Sequence, residues 1–173
     1  MDILVPIPLK IRKQSNIPGL LKDLGFIVQF NGMKGWMKLA HPELIIEFLV
    51  PKRDRDSDRL YSLAQLGMNA QPLSFMDMLI ENMIRIKIEN FYLQVPHPAA
   101  FALHKLIISK RRMLDEKKDK DIMQALNVLN ALIEKGEKNN IRKIFKSLFP
   151  KWQKKVMDAL KDTKVNNIRE LLK

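Results

Sequence analysis

The sequence predicts an α+β fold: a strand-rich first part with a mixed sheet, followed by a helical bundle. Three observations carry this. Short apolar and β-branched runs bounded by Pro, Gly and Asn recur as far as Val95. After Pro96 the apolar residues switch to helical spacing and keep it to the end. Between the two lies Val95-Pro96-His97-Pro98. Proline disfavours helix for the residue before it but fits a helix's first turn, so a helix is expected from about Pro98. The order of strands first and helices second argues for segregated rather than alternating elements. Two subdomains are expected, 1–95 and 96–173.

Taken in order, Asp2 to Val5 is β-branched and apolar, stops at Pro6 and Pro8, and reads as a strand with a carboxylate at its start. Ile17 to Gly25 reads as a short helix that Asn16 caps and Gly25 ends. Phe26 to Phe30 is a strand, Asn31-Gly32 a turn and Trp36 to Leu39 a second strand. Glu43 to Val50, ELIIEFLV, carries apolar residues on both faces and is expected at the centre of the sheet. Pro51 to Arg59 is a charged loop of alternating sign, and Leu60 to Gly67 is either a short helix or an irregular connection. Ser74 can cap a helical turn from Phe75 to Glu81. Met83 to Ile88 and Phe91 to Val95, separated by Glu89-Asn90, read as a hairpin.

In the helical part, Phe101, Leu103, Leu106 and Ile107 mark the first helix, and a charged loop is expected before Lys120-Asp121 opens the second. Ile122, Leu126, Leu129, Leu132 and Ile133 continue it to Gly136. Asn140 is expected to cap a third helix, Pro150 to open a fourth with Trp152, Val156 and Leu160 on one face, and Val165 to Leu172 to form a last one. The first helix pair can aim Lys105 and Asp121 at one neighbouring site. The competing reading is an amphipathic helix with a solvated basic end.

Bulk composition excludes several classes. A chain of 173 residues with 46% hydrophobic residues can bury a real core and is too apolar for disorder. There is no cysteine, hence no disulfide and no thiolate metal site, which fits a cytoplasmic location. The start has no basic segment ahead of its apolar run and does not resemble a signal peptide. No run approaches the roughly 18 apolar residues that mark a membrane span, so no membrane partner is expected. The net charge of +12 is uneven. Through Pro96 there are 12 basic and 10 acidic side chains; from His97 on there are 19 and 9. The field of such a basic helical block favours polyanions, RNA or another nucleic acid among them.

For chemistry, Asp2 and Glu47 stand out. Carboxylates on adjacent strands can hold Mg²⁺, and an acid inside an apolar strand is costly unless it is partnered or at an open edge. The histidines His41, His97 and His104 share no metal-ligand spacing. There is no Gly-rich phosphate loop and no nucleophile elbow.

These residues resemble a family. VPHPAAFALHKLIISKRR, followed by KKDKDIMQALNVLNALI, resembles the helical half of bacterial nucleotidyltransferase-fold proteins of the polymerase-β-like superfamily. That branch includes minimal nucleotidyltransferases and toxin–antitoxin transferases. DILVP at 2–6 resembles the end of the family's Asp-x-Asp strand, Gly25-Phe26 fits the following unit, and IIEFLVP at 45–51 resembles the strand bearing the third metal carboxylate. The likeness covers most of Met1 to Ile133.

The resemblance implies transfer of a nucleotidyl group from a nucleoside triphosphate to a hydroxyl, with Mg²⁺ as cofactor. Asp2 and Glu47 would be metal carboxylates. Lys105 would meet the triphosphate with help from Arg112. Lys120 and Asp121 would match the family's Lys-Asp at the next helix, Asp121 orienting Lys105 or the acceptor. The family's upstream Gly-Ser motif and first Asp have no counterpart here, because Met1 precedes Asp2. The resemblance therefore implies an N-terminally shortened form, a non-catalytic relative, or a site completed by a second chain. A sheet without its first strand exposes an edge, which favours a homo-oligomer. The other reading is a basic nucleic-acid-binding module or a toxin–antitoxin partner without catalysis.

Overall fold

A computed structural model describes residues 1–7, 14–31, 35–52, 59–161, 163 and 165–173. Pro8, Gly32 of the expected turn and most of the charged loop lie outside the described residues. The chain forms two compact units, Met1–Asp77 and Met78–Lys173, so the hairpin groups with the helices although the sequence changes character at Pro96.

Unit 1 is a mixed sheet. Its described strands are β1 (Asp2–Leu4), β2 (Ile27–Asn31), β3 (Trp36–Ala40), β4 (Ile45–Pro51), β5 (Tyr61–Leu63) and β6 (Met68–Leu73). The path runs β2-β3-β4-β6-β5, with β1 also on β4. β4 is central, as its apolar composition implies. It pairs parallel with β1 and β6 and antiparallel with β3. Ile46, Phe48 and Val50 of β4 point to one face and pack with Val5, Leu39, Leu63, Met68 and Ala70 as the core of this unit. Helix α1 (Ile17–Lys22) starts where Asn16 accepts a hydrogen bond from the Gly19 N–H at 3.1 Å.

Two expectations are corrected in this unit, and one strand is new. Leu60 to Gly67 contains a strand, β5, and then a 3-10 turn (Ala64–Leu66), not an α-helix. β6 has no sequence signal, because Ala and Gln are poor strand formers and Pro72 argues against an interior strand. Phe75 has φ +68°, so it cannot belong to a helix, and α2 runs Asp77–Glu81.

Unit 2 opens with the hairpin β7 (Met83–Ile88) and β8 (Phe91–Pro96). α3 (Pro98–Ser109) follows and is buried over most of its surface, with Phe101 left exposed. Ala99, Ala100, Ala102, Leu103, Leu106 and Ile107 have no exposed surface. Packed around α3 are α4 (Asp115–Glu134), α5 (Lys138–Ser147) and α6 (Pro150–Lys161), and α7 (Asn166–Leu172) lies on α5. The expected opening of α4 at Lys120-Asp121 is five residues late. Asp115 and Glu116 occupy its first turn, where carboxylates favour the helix dipole, and the charged loop is in large part helix. α4 ends at Glu134 with Lys135 as its C-cap, and Gly136 follows with a φ of +79°, which suits the residue after a helix. Asn140 lies inside α5, whose N-cap is Glu137. No described helix is long and apolar enough to cross a membrane.

Candidate functional site

In unit 1 the parallel pairing of β1 with β4 sets Asp2 directly beside Glu47. Strand residues in register share a face, so both carboxylates leave the sheet on the side opposite the core. On the other edge of β4, Lys38 of β3 is also in register with Glu47, and its Nζ lies 3.0 Å from Glu47 Oε1. Asp2, Glu47 and Lys38 thus form one row across three strands. The lysine resolves the cost of an acid within an apolar strand. Lys38 was not anticipated; the alternation of β3 places it on the outer face, but its partner depends on the β3–β4 register.

Two adjacent carboxylates suit a single Mg²⁺, an ion commonly held by one or two carboxylates, with water and phosphate oxygens completing its shell. They do not suit two ions. Among the described residues no group of three or more metal-binding side chains exists, and one Glu47 oxygen is shared with Lys38. A pocket of about 350 Å³ in this unit is lined by Asn16, Pro18, Gly19, Lys22, Phe26 and Val28, and neither acid is part of its lining.

In unit 2, Lys105 of α3, Arg112 of the connection and Asp121 of α4 meet. Lys105 Nζ donates to Asp121 Oδ1 and Arg112 Nε to Oδ2, both at 2.8 Å. The Asp121 side chain is 5% exposed, against 20% for Lys105 and 41% for Arg112. Burial pushes the Asp121 carboxyl up, but the hydrogen bonds and charges of Lys105 and Arg112 outweigh it and hold its pKa below the ordinary carboxylate value. Helix geometry explains the meeting. Lys105 leaves the last turns of α3, Asp121 is two turns into the antiparallel α4, and the connection carries Arg112 back over both. Lys120 is exposed, one residue from Asp121 and so turned about 100° away from it.

His97 has a structural task. Its Nδ1 accepts from the Ala99 N–H at 3.1 Å as the N-cap of α3, and its Nε2 lies 3.6 Å from Glu137.

A family model described as nucleotidyltransferase matches residues 2–149 of this chain, well over half its length. No curated protein and no solved structure matches it.

Proposed function

The chain belongs to the nucleotidyltransferase family, and from that premise we propose that it transfers a nucleotidyl group from a nucleoside triphosphate to a hydroxyl acceptor. In that reaction the acceptor oxygen bonds to the α-phosphorus, the bond to the bridging oxygen breaks, pyrophosphate leaves and the hydroxyl proton passes to solvent. The observation that carries the reading is the register of Asp2 with Glu47, which sets two carboxylates side by side on one sheet face of a chain in this family.

In this proposal Asp2 and Glu47 hold one Mg²⁺, which neutralises triphosphate charge when bound. Within unit 2, taken by itself, Lys105 offers phosphate oxygens a point charge, Arg112 stands beside it as a second cation, and Lys120 adds an exposed charge on the next face of α4. Asp121 acts as a positioning residue. Both its oxygens are taken by Lys105 and Arg112, so it fixes where those cations stand.

Calorimetric titration of ATP and the other nucleoside triphosphates, with and without Mg²⁺, tests this. The protein should bind at least one of them with Mg²⁺. Lys105→Ala should weaken binding about tenfold, the worth of one charge-assisted contact. Glu47→Gln should remove the Mg²⁺ dependence. Absence of binding in all three proteins would overturn the proposal, as would variants that bind like the parent.

A further inference from the structure

We propose that the α5–α6 surface of unit 2 binds single-stranded nucleic acid. From Lys138 to Lys161 the chain carries eight basic side chains and one acid, Asp158. Three of the basic residues are accounted for by the fold. Arg142 Nε donates to the Leu171 carbonyl at 3.0 Å, Lys161 pairs with Asp158 at 2.6 Å, and Lys155 is half-buried. Lys138, Lys143 and Lys146 of α5 and Lys151 and Lys154 of α6 are exposed. At 100° per residue Lys143 and Lys146 fall 60° apart on α5, on the side away from Ile141, Ile144 and Phe145, and Lys138 stands in the first turn. Lys151 and Lys154 fall together on α6, away from Val156 and Leu160.

At the junction of the two helices stands Phe149, 62% exposed and braced edge-to-face against Trp152 at 5.0 Å. It lies in sequence between Lys146 and Lys151. A solvent-facing ring amid lysines is the arrangement that stacks an unpaired base while cations track the phosphates. A duplex hides its base faces, so the ring selects single strands. A membrane fits less well. Interfacial helices insert an apolar face, and here the apolar faces of α5 and α6 are buried in the unit.

This inference is independent of the transferase reading, and its test uses no triphosphate and includes a chelator. A labelled oligouridine of about 20 nucleotides is titrated with the full chain, anisotropy being read from 50 to 300 mM salt. Log affinity should fall linearly with log salt, with a slope near −3 for about four phosphate contacts. Lys143→Ala/Lys146→Ala should reduce the slope by about 1.4. Phe149→Ala should weaken binding about tenfold with the slope unchanged, and circular dichroism checks that its fold is retained. The duplex of the same length should bind more weakly. The proposal is overturned by no binding at 50 mM salt, by a Phe149→Ala protein that binds like the parent, or by equal affinity for duplex. Equal affinity for an acidic polypeptide or phosphatidylserine vesicles would overturn it too.

Discussion

Asp121 sits at the point where desolvation and pairing oppose each other, and pairing wins. Replacing it with Ala leaves Lys105 and Arg112 without their shared acceptor and should cost roughly 2–3 kcal/mol, the scale of a hydrogen bond to a charged group. Lys105 should account for the larger share, because Arg112 is more exposed and better screened. The pH dependence has a definite sign. The folded pKa is depressed, so the stabilisation is complete above the unfolded value of about 3.9 and is lost as pH falls through the folded value. Denaturant midpoints of the parent and Asp121→Asn should therefore differ by a constant amount from pH 5 to 8 and converge below about pH 4. A difference that persists unchanged into acid would show that the charge is not what stabilises. Lys38→Ala is the contrasting case. Its pair with Glu47 is part-exposed, so the loss should stay under about 1 kcal/mol in the same measurement.

At the scale of elements, α3 and the β7–β8 hairpin differ most. α3 is buried except along the stripe of Phe101, Lys105 and Ile108, and its alanines let its neighbours approach closely. Ala102→Leu has no empty volume to fill and should destabilise by about 1–3 kcal/mol. Leu103→Ala should cost about 3–4 kcal/mol by leaving a cavity. Both are readable as shifts in thermal midpoint. The hairpin turns at Glu89, whose φ is +49°. A carboxylate side chain with this backbone is strained, whereas Asn tolerates it. Glu89→Asn should stabilise the hairpin by about 0.5–1 kcal/mol, seen as slower amide exchange in Met83–Pro96. Register pairing puts Ile84, Ile86, Ile88, Phe91, Leu93 and Val95 on one face of this ribbon. Its alternation was readable because two strands joined by a short turn need no long-range information.

At the scale of the whole molecule, the net charge of +12 concentrates in the later half. Like charges on one surface repel, so raising monovalent salt from about 20 to 200 mM should raise the thermal midpoint rather than lower it. Sulfate should do so more than chloride at equal ionic strength, by exclusion from the protein surface. A midpoint that falls with salt would mean that ion pairs outweigh the repulsion.

Periodicity and punctuation were sufficient for most of the architecture. Pro98 fixed the start of α3, Asn16 the cap of α1 and Gly136 the end of α4, since each acts through the backbone of its neighbours. The apolar run around Glu47 told that β4 is central, and an acid there told that it needed either a partner or an open edge. The family was legible in the same stretches. The tertiary structure alone decided what depends on pairing between distant segments. The place of Lys38 beside Glu47 rests on the β3–β4 register, and β6 is a strand because β4 and β5 offer it hydrogen bonds that its own composition does not solicit. Lys105, Arg112 and Asp121 were each visible as residues, but that one carboxylate holds both cations follows from how α3 and α4 pack, which no local rule encodes.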